Sequence, residues 1–316
     1  MLKINGIGHS NKNNKKIKIK DNHKKVLLNR KWRLGDVIMC EPANRFLSDN
    51  GFQVHFCTMG QYHPIVKSFY KKPPQLITYP YNIDIKDVFD FEYNLDEVDL
   101  VHSGHVSKVE AFLSKSNINN PADEYKTPLL EINNKYISWA KILLKNNHLE
   151  DIPLIAVIRQ SYSKDSPRSI PIHILDEIYQ LLSKDYHILV IGDKPCKINI
   201  NKNIHNFTGC TPDIMSVAGL LTQCKILLTG DTGLMHLAGA IGTPMVSILG
   251  PTRPEDISLF YKNNTILDYG RECSPCFDRG CDNNCLNSIN PDYVYNAVID
   301  RINAPFNESL VLKQEG

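Results

Sequence analysis

A strand–turn–helix–strand pattern in the second half of the chain constrains the fold most strongly. The apolar run Lys225–Thr229 is typical of a buried strand, and the turn Gly230–Gly233 follows it directly. Apolar residues then recur at helical spacing as far as Thr243–Pro244, and Met245–Leu249 is a second apolar run. Two buried strands joined by a helix predict a parallel α/β sheet.

The turn between the first strand and the helix has the chemistry of an anion site. Asp231, Thr232 and Gly233 bring a carboxylate, a hydroxyl and backbone N–H groups to a helix N-terminus, where the helix dipole favours negative charge. A nucleotide diphosphate is the ligand we expect. Most such turns bind nothing, however, and Asp231 is equally suited to cap the helix, while His236 is equally suited to be a hydrogen-bonded core residue.

Two short motifs resemble one protein family. Asp231–Pro244, DTGLMHLAGAIGTP, with the later Gly250–Thr252, resembles the signature of glycosyltransferase family 9, the heptosyltransferases that build the lipopolysaccharide core. In that family this segment holds the nucleotide-sugar donor. Leu34–Ile38, LGDVI, and Glu41–Ala43, EPA, are similar to the family's N-terminal motif. The resemblance covers residues 26 to about 300 and has both motifs in the family's order.

The resemblance implies a GT-B architecture, in which two Rossmann-like domains with parallel sheets face each other across a cleft. The expected units are a basic, disordered tail at 1–25, an acceptor-side domain at 26–150, a donor-binding domain at 151–303 with a cysteine loop at 273–285, and a polar tail at 304–316. In the first domain the pattern predicts a strand at Val26–Asn29, a helix that opens at Asp36 and is kinked by Pro42, and another strand at Asp99–Val101.

The resemblance also implies an inverting transfer that needs no catalytic metal, with ADP-heptose as the expected donor. In the family, the aspartate that follows the glycine of the N-terminal motif faces the acceptor and is proposed as the catalytic base. Here that glycine is Gly35 and the role falls on Asp36. The residues alone allow Asp36 to be a helix cap instead. Gly35, His102 and His105 are expected on the acceptor side, since the histidines follow a predicted strand. The alternative is that the two histidines are merely solvated residues of a polar turn. The expected donor-binding residues are Arg159, Ser161, Lys164, Arg168, Gly192, Asp231, Thr232, Gly233 and His236.

Four cysteines lie within 13 residues near the end of the chain: Cys273, Cys276, Cys281 and Cys285. Four thiolates at this spacing can surround one tetrahedral ion, so we expect a structural Zn or Fe site. Reduced structural thiols and disulfides are the alternatives. Part of the family has a similar cysteine-rich loop, and some members hold iron with it.

Composition excludes several function classes. The net charge of +2 predicts no polyanionic partner, and the basic excess is local: residues 12–25 contain seven lysines and one aspartate. That run offers at most a weak contact with an anionic surface. The N-terminus lacks the apolar core of a secretory signal, and the longest uncharged stretch, Thr232–Thr252, contains prolines and glycines, so we expect no transmembrane segment and a cytoplasmic location.

Three other functions remain open from the sequence. A GT-B relative such as a nucleotide-sugar epimerase would need a histidine or carboxylate set that the sequence does not identify. A nucleic-acid-binding protein could use the cysteine loop, but two arginines against three acidic residues within 271–282 make a poor electrostatic footprint. An inactive family member is disfavoured by the intact Asp36 and Asp231. The acceptor is not identified; a glycan, lipopolysaccharide or a protein hydroxyl would each suit the chemistry.

Overall fold

A computed structural model describes residues 24–81, 88–99, 107–158, 167–276, 285–305 and 309–313. Its N-terminal sheet has four strands: β1 (Lys25–Asn29), β2 (Gln53–Met59), β3 (Gln75–Tyr79) and β4 (Phe91–Asn94). They lie in the order β3-β2-β1-β4, and every neighbouring pair is parallel. All four strands therefore present their carboxyl ends at one edge of the sheet.

The C-terminal sheet is also parallel throughout and has seven strands. These are β5 (Leu154–Ile158), β6 (His187–Ile191), β7 (Ile204–Asn206), β8 (Ile226–Gly230), β9 (Met245–Leu249), β10 (Asn264–Asp268) and β11 (Leu310–Leu312). Their order is β11-β10-β9-β8-β5-β6-β7. Strands β5, β8 and β9 are buried along their whole length, which explains why their sequences are mostly apolar rather than alternating.

Ten α-helices connect and cover the strands. They are α1 (Leu34–Met39), α2 (Glu41–Asp49), α3 (His63–Val66), α4 (Lys108–Lys115), α5 (Asn134–Asn146), α6 (Ile172–Leu182), α7 (Ile214–Leu221), α8 (Gly233–Ile241), α9 (Pro254–Ile257) and α10 (Pro291–Asn303), as counted within the described ranges. None of the helices in these ranges has the length and apolar character needed to cross a bilayer.

The core follows the two-residue period of the buried strands. In β5, Ile155 and Val157 point into a layer closed by α6 and α10, whereas Leu154, Ala156 and Ile158 join a larger layer on the other face. That larger layer runs on without interruption into the N-terminal sheet through α1, α5, α7 and α8. The two parallel sheets confirm the α/β fold class that the sequence predicts.

Three local predictions are wrong. The first helix begins at Leu34 rather than Asp36, and it ends before Cys40; Pro42 lies in the first turn of α2, where its missing N–H breaks no helical bond. The strand expected at 99–101 does not begin at Asp99, because a 3₁₀ helix spans Leu95–Asp99; residues 100 and 101 lie outside the described ranges. The expected tail at 304–316 includes β11, which pairs with β10.

The two halves of the chain are joined by contacts between the helices and loops that cover the sheets. The backbone N–H of Leu130 donates to the carbonyl of Ala240 at the end of α8 (2.9 Å). Helix α5 packs on α7 so closely that a Cβ added to Gly219 would lie 2.4 Å from the carbonyl oxygen of Tyr136. Helix α5 thus precedes the expected boundary near residue 150 but packs on the second half. The boundary itself stays a prediction.

Candidate active site

The two sequence motifs lie against each other. A Cβ added to Gly35 in α1 would lie 2.3 Å from Cδ2 of His236 in α8, and a Cβ added to Gly233 would lie 2.9 Å from Cβ of Leu34. Real Cβ atoms do not approach other atoms this closely, so the contact requires glycine at both positions. The N-terminal turns of α1 and α8 therefore form one site at the junction of the sheets.

Asp36 is buried between two cations. Its residue is 4% exposed, Oδ2 accepts a hydrogen bond from Nη2 of Arg30, and Oδ1 lies 2.6 Å from Nζ of Lys108. Burial by itself raises the pKa of Asp36, but the positive charges of Lys108 and Arg30 outweigh it and hold the pKa below its ordinary value. The carboxylate is therefore ionised at neutral pH.

The ion pairs exclude the helix-cap alternative for Asp36. The N-cap of α1 is Arg33, no side chain caps this helix, and Asp36 is the third helical residue. Its carboxylate is engaged by side chains of other elements rather than by the first backbone N–H groups of the helix. We conclude that its role is not capping.

Arg30 fixes the loop before α1. It is fully buried, and it donates from Nη1 to the carbonyl of Leu95 (3.1 Å) and from Nε to the carbonyl of Trp32 (3.2 Å). The backbone N–H of Lys31 donates to Oδ1 of Asp96 (3.0 Å). The loop therefore has a defined backbone, and it carries the indole of Trp32, which is 56% exposed.

Arg33, the last residue before α1, has a φ of 68°. Arginine rarely adopts this left-handed region, and such strain concentrates at functional sites. It follows that the chain turns sharply here in order to bring Leu34 and Gly35 against α8.

The turn before α8 holds a basic side chain. Thr232 is the N-cap, and its hydroxyl accepts from the N–H of Met235 (3.4 Å). Asp231 precedes the cap; its Oδ2 accepts from Nη1 of Arg168 (3.2 Å) and from the hydroxyl of Thr252 (3.0 Å). The capping alternative for Asp231 is thus wrong. The carboxylate of Asp231 instead orients the half-exposed guanidinium of Arg168 near the N-terminus of α8. The guanidinium and the helix N-terminus both favour a bound anion.

His236 lies between the two motifs as a neutral imidazole. Its Nδ1 is 3.1 Å from the hydroxyl of Tyr261, and the other edge of the ring faces Gly35. Burial lowers the pKa of His236 to about 4, although the charges of Asp231 and Asp36 act in the opposite direction. The ring is therefore a hydrogen-bonded buried histidine, and its assignment to the donor pocket stays a prediction.

A second buried carboxylate lies in the EPA motif. Glu41 is fully buried; Oε1 accepts from Nε of Arg45 (2.8 Å) and Oε2 from the N–H of Leu129 (3.0 Å). Burial raises the pKa of Glu41 to about 7, and Arg45 only partly opposes that shift. The negative charge of Glu41 adds to the effect of burial in raising the pKa of Tyr261. Tyr261 therefore connects His236, to which it is hydrogen-bonded, with the charge of Glu41.

The remaining predicted residues are only partly accounted for. Gly192 follows β6 and accepts from the N–H of Gly209 (2.8 Å), so it lies at the carboxyl edge of the C-terminal sheet. The others fall outside the described ranges: Arg159, Ser161, Lys164, His102, His105 and Cys281. Their assignments stay predictions.

The cysteine loop is attached to the turn after β9. The N–H of Cys276 donates to the carbonyl of Pro251 (2.8 Å), and the hydroxyl of Ser274 donates to the carbonyl of Gly250 (3.0 Å). A Cβ on Gly250 would lie 2.6 Å from Sγ of Cys285. Both arms of the loop therefore converge on one turn, as a shared ion would require, yet the described part of the chain contains no cluster of three metal-ligating side chains.

Solved glycosyltransferases share this fold. The family 9 glycosyltransferase of Veillonella parvula DSM 2008 gives a TM-score of 0.70 at 14% identity and covers 90% of this chain and 98% of that one. The dodecameric iron-containing heptosyltransferase TibC of enterotoxigenic E. coli H10407, in complex with ADP-D-beta-D-heptose, gives a TM-score of 0.62 at 15% identity over 90% of this chain and 78% of that one. With its two parallel sheets, the chain has the fold of GT-B-like glycosyltransferases.

The sequence comparisons match part of the chain to one family. Residues 197–287 match the sequence model of glycosyltransferase family 9 (heptosyltransferase). Lipopolysaccharide heptosyltransferase 1 of Pseudomonas aeruginosa is 33% identical over 70 residues, which are 21% of this chain and 20% of that protein. Over this segment the chain is similar to the heptosyltransferases of family 9, which confirms the resemblance. The first two relatives are matched over only 20% and 34% of their own lengths.

Proposed function

We propose that the protein is an inverting glycosyltransferase that moves a heptose from ADP-heptose to an acceptor hydroxyl. The observation that carries the proposal is the direct contact between α1, with its buried carboxylate Asp36, and α8, whose N-terminal turn lies beside Arg168. The match of residues 197–287 to family 9 and the ADP-heptose named in the TibC complex support this donor.

In the proposed reaction the two motifs act on opposite sides of the anomeric carbon. The acceptor hydroxyl gives its proton to Asp36 while its oxygen bonds to the anomeric carbon, and the bond from that carbon to the diphosphate breaks. The leaving ADP carries away the bonding electrons. Arg168, Thr232 and Gly233 bind the diphosphate, because a guanidinium and helix N–H groups stabilise the negative charge that develops there.

For the acceptor we propose a class of molecules rather than one compound, and we also propose a compartment and a structural metal site. We keep a glycan, a lipopolysaccharide and a protein hydroxyl as acceptors and place the reaction in the cytoplasm, where the basic N-terminal run offers a peripheral contact. Cys273, Cys276, Cys281 and Cys285 would hold one structural Zn or Fe ion. All four thiolates would be ligands, which leaves no open position for chemistry.

Donor binding is the first test of the proposal. Thermal shift measurements should show that ADP-heptose and ADP stabilise the protein more than UDP, GDP and their sugars do. Stabilisation by another nucleotide sugar alone would overturn the choice of donor. An absence of any nucleotide effect would overturn the proposed function as a whole.

The second test separates the role of Asp36 in chemistry from its role in folding. Asp36→Asn should lower ADP release about 10²–10⁴-fold, the loss expected for a general base. It should also destabilise the protein by about 3 kcal/mol, because two cations lose their buried carboxylate. Asp96→Asn is the matched control, since Asp96 also faces Arg30 (3.8 Å) but is not the proposed base. If Asp96→Asn loses as much turnover, the base assignment fails.

A further inference from the structure

We propose that Lys108 is a positioning residue that holds Oδ1 of Asp36 before the acceptor arrives and yields that oxygen to the acceptor hydroxyl. The inference rests on the proposed function, because it assigns a resting state to the proposed base. It is carried by the way the two carboxylate oxygens of Asp36 are shared between Arg30 and Lys108.

Each carboxylate oxygen of Asp36 is held by a cation in the resting arrangement, and the side chain is only 6% exposed. Oδ2 is bound by Nη2 of Arg30, and Oδ1 is 2.6 Å from Nζ of Lys108. A hydroxyl that transfers its proton to a carboxylate must first hydrogen-bond to one of these oxygens. Because the carboxylate is almost fully buried between the two cations, a hydroxyl gains room at one of its oxygens when a cation withdraws.

Lys108 is the cation that can move. The guanidinium of Arg30 is fully buried and is also bonded to the carbonyls of Leu95 and Trp32, so it cannot leave without breaking the loop. The side chain of Lys108 is 15% exposed, and an ammonium on a flexible four-carbon stem can rotate away without moving the backbone. Oδ1 is thus the oxygen that a substrate reaches.

The backbone beneath Lys108 is fixed independently of this ion pair. Lys108 is the first residue of α4, whose N-terminus is closed by a capping box: Ser107 accepts from the N–H of Glu110, and Glu110 accepts from the N–H of Ser107. Movement of the ammonium therefore leaves the helix in place. For the same reason, a neutral residue at position 108 should not unfold α4.

The charges around Asp36 single out Lys108 as the group that controls its basicity. Arg30 and Arg33 are the other cations whose charges act on Asp36. His236 stays neutral, because burial lowers its pKa to about 4, and the Cys40 thiol stays protonated because burial raises its pKa. When the ammonium leaves Oδ1, Asp36 becomes a stronger base at the moment a hydroxyl replaces it. The ion pair also keeps Oδ1 from activating water when no acceptor is present.

The test uses ADP-heptose with water as the acceptor. Lys108→Met removes the ammonium but leaves Asp36 paired with Arg30, so the fold should persist. We expect ADP release without an acceptor to rise at least about 3-fold, because the freed carboxylate is a stronger base. The acidic limb of the pH–rate profile should move up by about one pH unit, the shift expected on losing one adjacent positive charge.

Three further variants make the result specific. Lys108→Arg keeps the charge but binds carboxylates in a rigid fork, so it should not raise ADP release. Asp36→Asn combined with Lys108→Met should abolish the gain. Lys115→Met, on the same helix and paired with the exposed Glu97, is the matched control and should behave as wild type.

The outcomes distinguish this inference from the proposed function. If Lys108→Met releases ADP no faster than wild type, or keeps its pH profile, the inference is overturned even though donor binding persists. If wild type shows no stabilisation by ADP-heptose or ADP, the proposed function fails first. A simple structural role for Lys108 would lower the melting temperature but would not move the pH profile.

Discussion

Replacing Gly35 with alanine tests the contact between α1 and α8 on which the candidate site depends. The new methyl group would lie 2.3 Å from Cδ2 and 3.0 Å from Nε2 of His236. The imidazole cannot turn away easily, because it is buried and its Nδ1 is 3.1 Å from the hydroxyl of Tyr261. One of the two helices must therefore shift.

The expected cost follows from two opposing effects. Overpacking a core by one methyl group costs about 1–3 kcal/mol, and a 2.3 Å contact lies towards the upper end. Alanine in a helix recovers up to about 1 kcal/mol relative to glycine. We expect a net destabilisation of about 1–2 kcal/mol. Turnover should fall further, by as much as about 10²-fold, because a shift of 1 Å misaligns the base and the leaving group.

Urea unfolding and ADP release measure the two effects separately. Gly60→Ala is the control, since a Cβ there would lie 3.8 Å from Cγ2 of Thr78, an ordinary contact, and stability should change by less than about 0.5 kcal/mol. Adding His236→Ala should remove the clash, so the two substitutions should be non-additive. Wild-type stability in Gly35→Ala, or strict additivity with His236→Ala, would refute the packing of α1 on α8.

Four other outcomes are expected. Arg168→Ala should weaken ADP binding by about 1.5–3 kcal/mol, as for a charge-assisted hydrogen bond, and unchanged calorimetric affinity would shift the role to another cation. Trp32→Ala should raise the acceptor KM without changing ADP affinity, because its exposed indole is on the loop that leads into α1, the helix that carries Asp36; a change confined to ADP affinity would count against this. The folded-state pKa of Glu41, about 7, lies above the ordinary 4.5, so the ionisation of Glu41 lowers the stability of the wild type as pH rises between these values. In urea titrations Glu41→Gln should therefore gain stability relative to wild type from pH 5 to 7. A stability difference that stays constant over this range would contradict the raised pKa. Metal analysis of purified protein should find about one equivalent of Zn or Fe per chain, and less than about 0.2 equivalents would exclude a site formed by Cys273, Cys276, Cys281 and Cys285.

The sequence predicts the buried strands better than the partly exposed ones. Strands β5, β8 and β9 are mostly apolar because both of their faces are covered, so their runs stand out. Strand β3, QLITY, and strand β4, FEYN, are only partly buried and mix polar with apolar residues, and β11 has three residues. Such short segments have no period that distinguishes them from loops.

The same limit applies to the site. Asp36 and Asp231 can be recognised in the sequence because each directly follows a glycine in a motif. Their partners are not visible: Lys108 comes from a helix in another part of the chain, and Thr252 reaches Asp231 from 21 residues away. An ion pair between distant segments leaves no local pattern, so only the fold could show that Asp36 is held by two cations.

The packing of α5 on α7 has a practical meaning for dissecting this protein. A fragment that starts at residue 151 would lack Tyr136, whose backbone fills the notch at Gly219, and Ala140, which is fully buried. The apolar side of α7 would then face water in the isolated piece. A C-terminal half intended for separate expression or fragment complementation should therefore start before Asn133, which caps α5.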